Sequence, residues 1–318
     1  MSVVVPSHER PLRLRWLLNA LEEQTLERER WELVVVHDSR GEETEELLRA
    51  HPLAASGTMR HLRLEPGTGL PSRQRNAGWR ATRGELIAFT DDDCRPEPHW
   101  LARMLETARA NPGAIVQGRV QPDPFETDIL AAPHARTIEV DPPGPFAQTC
   151  NVLYPRALLE AVDGFEESFP LLAGEDTDLY ERARATGAGY VGAPDAVVYH
   201  AVESSSLLGA VRRSVRWQHL AYVVKRHPHV RERLELGVFW RRSHVLLSLG
   251  LAGGVAALRA RPAAALALPY LAHTVRRRGT HLRGLVRGAA ELPGRVVIDA
   301  VEMATLARGS VRYRTLFL

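Results

Sequence analysis

The chain has 318 residues, 45% of them hydrophobic and 25% charged, which suits one large domain with an appendage or two domains and argues against disorder. Its two cysteines, Cys94 and Cys150, cannot build a disulfide framework. The net charge of +3 conceals a division, because residues 1–205 carry 33 acidic against 21 basic side chains and residues 206–318 carry 5 against 20.

Met1-Ser2 leads straight into Val3-Val4-Val5, which reads as a core strand rather than a signal peptide. With so little cysteine, this points to a reducing, cytoplasmic setting. Ser2 to Val5 is expected to be a short strand that ends in a Pro6-Ser7-His8 turn. Leu14, Leu17, Leu18 and Leu21 then fall at helical spacing between Leu12 and Gln24. Leu33 to Val36 is a second strand ending in His37-Asp38-Ser39, Thr44 to Arg49 a helix, Arg60 to Leu64 a third strand, and Arg73 to Thr82 another helix. Glu85 to Thr90 is the strand that runs into Asp91-Asp92-Asp93. A helix follows from Trp100 to Ala110, and the proline-rich stretch from Pro112 to Pro145 has no assignable pattern and is expected to contain loops over a site. The β-rich run Ala196 to Tyr199 ends at His200. Nearly all-apolar strands separated by helices predict an α/β fold whose mostly parallel sheet is covered on both faces. Ligands of such sheets lie beyond the C-terminal ends of the strands.

Residues 206–318 change character. Ser206 to Lys225 reads as a basic helix carrying Trp217. Val245 to Leu258 and Ala263 to Ala272 are uncharged, and Arg259, Arg261 and Pro262 interrupt them. Neither run reaches the roughly 20 residues of a spanning helix. A helical, basic C-terminal region that docks on an anionic membrane surface is one expectation. A helical subdomain that packs on the first domain or pairs two chains into a homo-oligomer is the other.

Three adjacent carboxylates repel one another, so Asp91-Asp92-Asp93 is most easily tolerated where a cation or hydroxyl-rich ligand offsets the charge. Pro6 to Arg10 can wrap a ligand, and Asp38 suits hydrogen bonding to a base or ribose as well as capping of the next helix. Gly69 to Gly78 places arginines near a helix start, where a diphosphate could be held or where they could simply face solvent. In Gly174-Glu175-Asp176-Thr177-Asp178-Leu179 a carboxylate could serve as general base. There is no P-loop, no G-x-G-x-x-G, no H-E-x-x-H and no G-x-S-x-G, so P-loop kinase, dehydrogenase, zincin and serine hydrolase chemistry lose support. The sequence brings no recognised nucleic-acid-binding motif, and no nucleic-acid partner is expected.

Taken in order, these segments resemble the family 2 glycosyltransferases from Val3 to about His200. The opening Val3 to Arg10 resembles that family's first strand and P-[ST]-x-x-R turn, and Val34 to Ser39 its second strand with a base-reading Asp. Arg75-Asn76-Ala77-Gly78 through Arg83-Gly84-Glu85 resembles its R-N-x-G…R-G-E passage, and Asp91-Asp92-Asp93 its D-x-D signature. Asn151, Asp163 to Glu167 and Gly174 to Leu179 resemble its acceptor-side segment and E-D motif, with Asp163 standing where the family usually has glycine. The resemblance implies a GT-A, Rossmann-like fold over residues 1–205 and inverting transfer from a nucleotide-diphosphate sugar to an acceptor hydroxyl. It assigns Pro6, Ser7, Arg10, Asp38, Arg75, Asn76, Asp91 and Asp92 to the nucleotide. Asp91, Asp93 and His200 are assigned to a divalent metal (Mn²⁺ or Mg²⁺), Asp176 to the base step, and Glu175 and Asn151 to the acceptor. A lipid-linked or envelope glycan acceptor and a place on the inner face of the cell membrane would fit. A sugar-nucleotide nucleotidyltransferase and an inactive binding protein of the same fold are the alternatives.

Overall fold

Short runs of Val, Leu and Ile that alternate with helices in the sequence become one mixed sheet in the computed structural model, which describes residues 1–168 and 173–318. The chain divides into two units, residues 1–203 and 204–318. In chain order the first unit contains β1 (Ser2–Ser7), α1 (Pro11–Glu22), β2 (Glu32–His37), α2 (Glu43–Ala50), α3 (Pro52–Ala55), β3 (Met59–Arg63), α4 (Pro71–Ala81) and β4 (Leu86–Thr90). It continues with β5 (Cys94–Pro96), α5 (Trp100–Ala110), β6 (Ile115–Pro122), α6 (Thr127–Leu130), β7 (Asn151–Pro155), α7 (Arg156–Ala161), α8 (Glu175–Ala185) and β8 (Tyr190–His200).

Among the described residues the sheet has eight strands in the order β3-β2-β1-β4-β7-β6-β8-β5. β1 to β4 are mutually parallel, β7 runs against β4 and β6, β8 is parallel to β6, and β5 is antiparallel to β8. The pleat sends alternate residues to opposite faces. Val3 and Val5 pack with Leu14, Leu17 and Leu18 of α1 and Trp100 of α5 on one face. Val4 packs with Phe89, Tyr154, Phe165 and Trp79 on the other. Each fully buried aliphatic or aromatic side chain contributes about 1.5–3 kcal/mol. Gly78 allows α4 to approach β1, since a Cβ there would lie 2.4 Å from Val4 Cγ1.

The structure corrects two expectations and fills one gap. β1 does not stop at Val5. It continues through Pro6 and Ser7 beside β2, beyond the stretch where β4 pairs with it, so the missing Pro6 N–H is tolerated where β1 lacks a second neighbour. The stretch from Pro112 to Pro145, unassigned from the sequence, contains β6, which inserts into the sheet between β7 and β8. The basic segment from Ser206 is not one helix but α9 (Leu207–Ser214), a 3₁₀ stretch Val215–His219 and α10 (Leu220–Arg226).

The second unit continues with α11 (Arg242–Ala256), α12 (Leu268–Arg276) and α13 (Leu282–Tyr313), the last of 32 residues. Gly288 of α13 meets α12 closely, a Cβ there falling 2.0 Å from the Val275 carbonyl oxygen. Among the described residues no helix is long and apolar enough to cross a membrane.

Candidate active site

The parallel strands β1, β2 and β4 end at Ser7, His37 and Thr90. They deliver the Ser7–Arg10 turn, Asp38 and Asp91 to Asp93 to one edge of the sheet. Each of the three adjacent aspartates meets a different partner, which is how the fold accommodates them. Asp91 Oδ1 accepts from Arg75 Nη2 at 2.8 Å. Asp92 Oδ2 accepts from Ser7 Oγ at 2.9 Å and from the His8 N–H at 3.2 Å. Asp93 Oδ2 accepts from Arg10 Nη1 at 2.5 Å. Burial, and then the charge of Asp93, push the Asp92 carboxyl up to about 7.

Arg75 joins the triple aspartate to the acidic start of α8. Its buried guanidinium donates to Asp91 and, through Nη1 at 3.2 Å, to Glu175 Oε1, and it lies 5.6 Å from the Phe165 ring. Gly174 precedes α8 with a φ of 95°, a backbone state that glycine adopts without steric cost. Glu175 and Asp176 open the helix, where the positive end of its dipole favours carboxylates. Asp176 Oδ1 accepts from the Thr177 N–H at 2.8 Å. Loss of water, and then the neighbouring Glu175 charge, push the Asp176 carboxyl up to about 7, a value suited to a group that takes a proton near neutral pH.

His200 reaches the cluster through strand pairing. The β5–β8 register sets Cys94 opposite His200, and the Ala201 N–H donates to the Asp93 carbonyl at 2.9 Å. Asp93 Oδ1 and His200 Nε2 are then 3.7 Å apart. His200 Nδ1 lies 2.9 Å from the Ala201 carbonyl oxygen, a contact that puts a proton on Nδ1 and turns Nε2 toward Asp93. Asp93, Cys94 and His200 each bring a ligand atom within 4.8 Å of the others. The Cys94 thiol points instead toward the Cys150 carbonyl, and burial pushes it well above its ordinary value. One carboxylate with one imidazole fits a cation that fills its remaining positions from phosphate and water. The expected ligand Asp91 lies outside this cluster, because its carboxylate is turned to Arg75.

Two expected contact residues are spent inside the fold. Asn76 Nδ2 donates to the Phe165 carbonyl and Glu167 Oε1, both at 2.8 Å, and its Oδ1 accepts from Trp79 Nε1 and the Phe165 N–H, both at 2.9 Å. It fastens the turn that contains Asp163 and Gly164 onto α4 rather than facing a nucleotide. Asp163 takes a φ of 56°, a left-handed state that aspartate tolerates, so the replacement of glycine there keeps the turn. Asn151 is fully buried, with Trp100 Nε1 donating to its Oδ1 at 2.8 Å and its Nδ2 donating to the Arg119 and Ala196 carbonyls. It ties β7 to α5, β6 and β8 and is not part of the group around Glu175.

Asp38 is held by its own neighbours: the Gly69 N–H at 2.9 Å on Oδ2, and Gln74 Nε2 at 3.1 Å and His8 Nδ1 at 2.7 Å on Oδ1. Gln74 also donates to the Ser7 carbonyl at 2.9 Å. Gln74 and Glu203 are site residues that the motifs did not single out. Glu203 Oε1 accepts from Arg10 Nη2 at 3.2 Å and its Oε2 from Arg136 Nη2 at 2.8 Å. Gln74 stood inside the Gly69–Gly78 segment, whereas Glu203 had only its closeness to His200 as a signal. A second donor cluster, His244, Asp299 and Glu302, lies buried in the second unit, where Arg241 stands 3.3 Å from Glu302.

Residues 2–162 match the family model described as glycosyl transferase family 2. Glycosyltransferase AglE of Haloferax volcanii is 27% identical over 121 residues, 38% of this chain and 39% of that protein. Succinoglycan biosynthesis protein ExoM of Rhizobium meliloti is 30% identical over 140 residues, 42% of this chain and 43% of that protein. The matched region therefore spans about two fifths of either curated relative. Among solved structures, the mannosyltransferase PcManGT from Pyrobaculum calidifontis, in complex with GDP-Man and Mn²⁺, superposes with a TM-score of 0.58 at 19% identity, over 98% of this chain and 86% of that one. That likeness is one of fold.

Proposed function

Since the chain belongs to glycosyl transferase family 2, we propose that it transfers a sugar from a nucleotide-diphosphate donor to an acceptor hydroxyl with inversion at the anomeric carbon. The acceptor oxygen bonds to that carbon as the bond from the carbon to the diphosphate oxygen breaks. The diphosphate leaves with the bonding pair, and the hydroxyl proton passes to Asp176. The observation that carries this reading is the Arg75 bridge, which holds Asp91 of the triple aspartate and Glu175 beside the proposed base within one guanidinium's reach.

In this reading Ser7, Pro6 and Asp38 form the nucleoside side, and Asp38 keeps the Gly69 loop against the end of β2. Arg10, already paired with Asp93, stands where it can also neutralise phosphate. A divalent cation bound by Asp93 and His200 would stabilise the charge that grows on the leaving diphosphate. Glu175 orients the acceptor hydroxyl and, through its charge, keeps Asp176 basic. The acceptor in this reading is a hydroxyl of a growing glycan, a class that agrees with the name of the succinoglycan biosynthesis relative.

The test is a screen of nucleotide sugars with Mn²⁺ or Mg²⁺ by thermal shift, followed by product analysis for the donors that bind, since a ligand of the native state raises apparent stability. Release of nucleoside diphosphate supports the proposal. Consumption of added pyrophosphate, with nucleoside triphosphate and sugar 1-phosphate formed in its place, would show a nucleotidyltransferase.

A further inference from the structure

We propose that the second unit docks on an anionic lipid bilayer through an apolar helical hairpin, residues 249–272, that lies in the interface without crossing it. From Ser243 to Leu258, α11 and the residues just after it hold no Asp, Glu, Lys or Arg. A helix that is apolar all round belongs in a core or in lipid, because one side left to water has no polar groups to hydrate. Along the C-terminal half of this helix only one side is covered. Gly250 and Gly253 face the 3₁₀ stretch Arg261–Ala267, where a Cβ would lie 3.3 Å from Ala267 Cα and 2.6 Å from Leu266 Cβ respectively.

The other side carries Leu251, Val255 and Leu258 at helical spacing, 60%, 70% and 86% exposed. Leu266 and Leu268 add to the exposed apolar surface on the returning arm. A surface of this kind marks an interaction site. Its length excludes a span, since no helix among the described residues is long and apolar enough to cross a membrane.

Charge selects the occupant. The residues from Ser206 onward hold 20 basic against 5 acidic side chains, and exposed Arg259 and Arg261 flank the apolar stripe where the hairpin turns. A second copy docking through this same face would bring the same excess of positive charge and be repelled. An anionic bilayer attracts that charge and also takes up the apolar stripe, which is how interfacial helices bind.

Flotation of the full chain with vesicles of phosphatidylcholine alone, and of phosphatidylcholine with phosphatidylglycerol, tests this. The expected result is roughly tenfold or greater preference for the anionic vesicles at low salt, weakened at high salt. The double substitution Leu251→Asp and Val255→Asp should lower that binding about tenfold or more while its far-UV circular dichroism spectrum stays unchanged. Arg259→Glu with Arg261→Glu should remove the anionic preference and serves as the second variant if the first misfolds. Equal or absent binding to both vesicle types overturns the proposal. So does a wild-type dimer in sedimentation that Leu251→Asp dissociates, because the face would then belong to a second copy.

Discussion

Asp93 Oδ1 lies 3.7 Å from His200 Nε2, although the two residues come from elements far apart in the chain. The antiparallel pairing of β5 with β8 brings them together, and the contact of His200 Nδ1 with the Ala201 carbonyl orients the ring. If they hold the cation, His200→Ala should weaken Mn²⁺ binding by about tenfold or more, the scale on which ligand-shell losses act. Titration of Mn²⁺ followed by thermal shift in the presence of nucleotide reads this. Unchanged Mn²⁺ dependence would take His200 out of the site.

The Asp176 carboxyl is raised to about 7 by burial and by Glu175, with Asp91 adding to the repulsion and Arg75 and the Thr177 N–H opposing it. Transfer should therefore rise with pH through about 7, as the carboxylate forms. Glu175→Gln removes the second cause, so the acid limb of the pH–rate profile should move to lower pH. The same shift acts on stability. A carboxyl whose folded value lies above its unfolded one stabilises the protein at low pH, and that contribution is lost as pH rises through about 7. Ligand-free Asp176→Asn should lose less stability than wild type between pH values near the ordinary carboxyl range and neutrality, as read by thermal unfolding.

Arg75 is buried between Asp91 and Glu175. Arg75→Met would leave two carboxylates facing each other without their shared cation, a loss on the order of 3–5 kcal/mol for a broken buried pair. Chemical denaturation should show that loss and transfer should fall with it. A variant of wild-type stability would mean that solvent, not Arg75, satisfies the two acids.

Asn151→Ala separates a structural role from an acceptor role. It orphans Trp100 Nε1 and the carbonyls of Arg119 and Ala196, each loss costing about 1–3 kcal/mol when the group stays dry. The melting temperature should drop while the KM for the acceptor holds in the surviving folded enzyme. A raised acceptor KM at unchanged stability would return Asn151 to the acceptor side.

β1, β2 and β4 were legible because each is an apolar run bounded by turn or helix signals. β6 was not. Its sequence, Ile-Val-Gln-Gly-Arg-Val-Gln-Pro, sits among prolines and takes its place through pairing with β7 and β8. Gln117 is buried there because its amide donates to the Asn151 carbonyl at 2.6 Å, a partner that no local pattern announces. α13 was hidden for a different reason. Four glycines and Pro293 lower its intrinsic propensity, and packing overrides that, with Gly288 making the close approach to α12. At the site, the carboxylates of the triple aspartate and of Glu175-Asp176 were readable as chemistry. The internal hydrogen bonds of Asn76 and Asn151 were not legible, because a motif shows a polar side chain but not whether the interior already uses it.

The proposed base is tested most directly by comparing Asp176→Asn with wild type in donor binding and in sugar transfer under saturating metal. Nucleotide binding should stay within about twofold of wild type while transfer falls by roughly 10²–10⁴, the range for loss of a general base. Near-normal transfer by Asp176→Asn would contradict the base assignment.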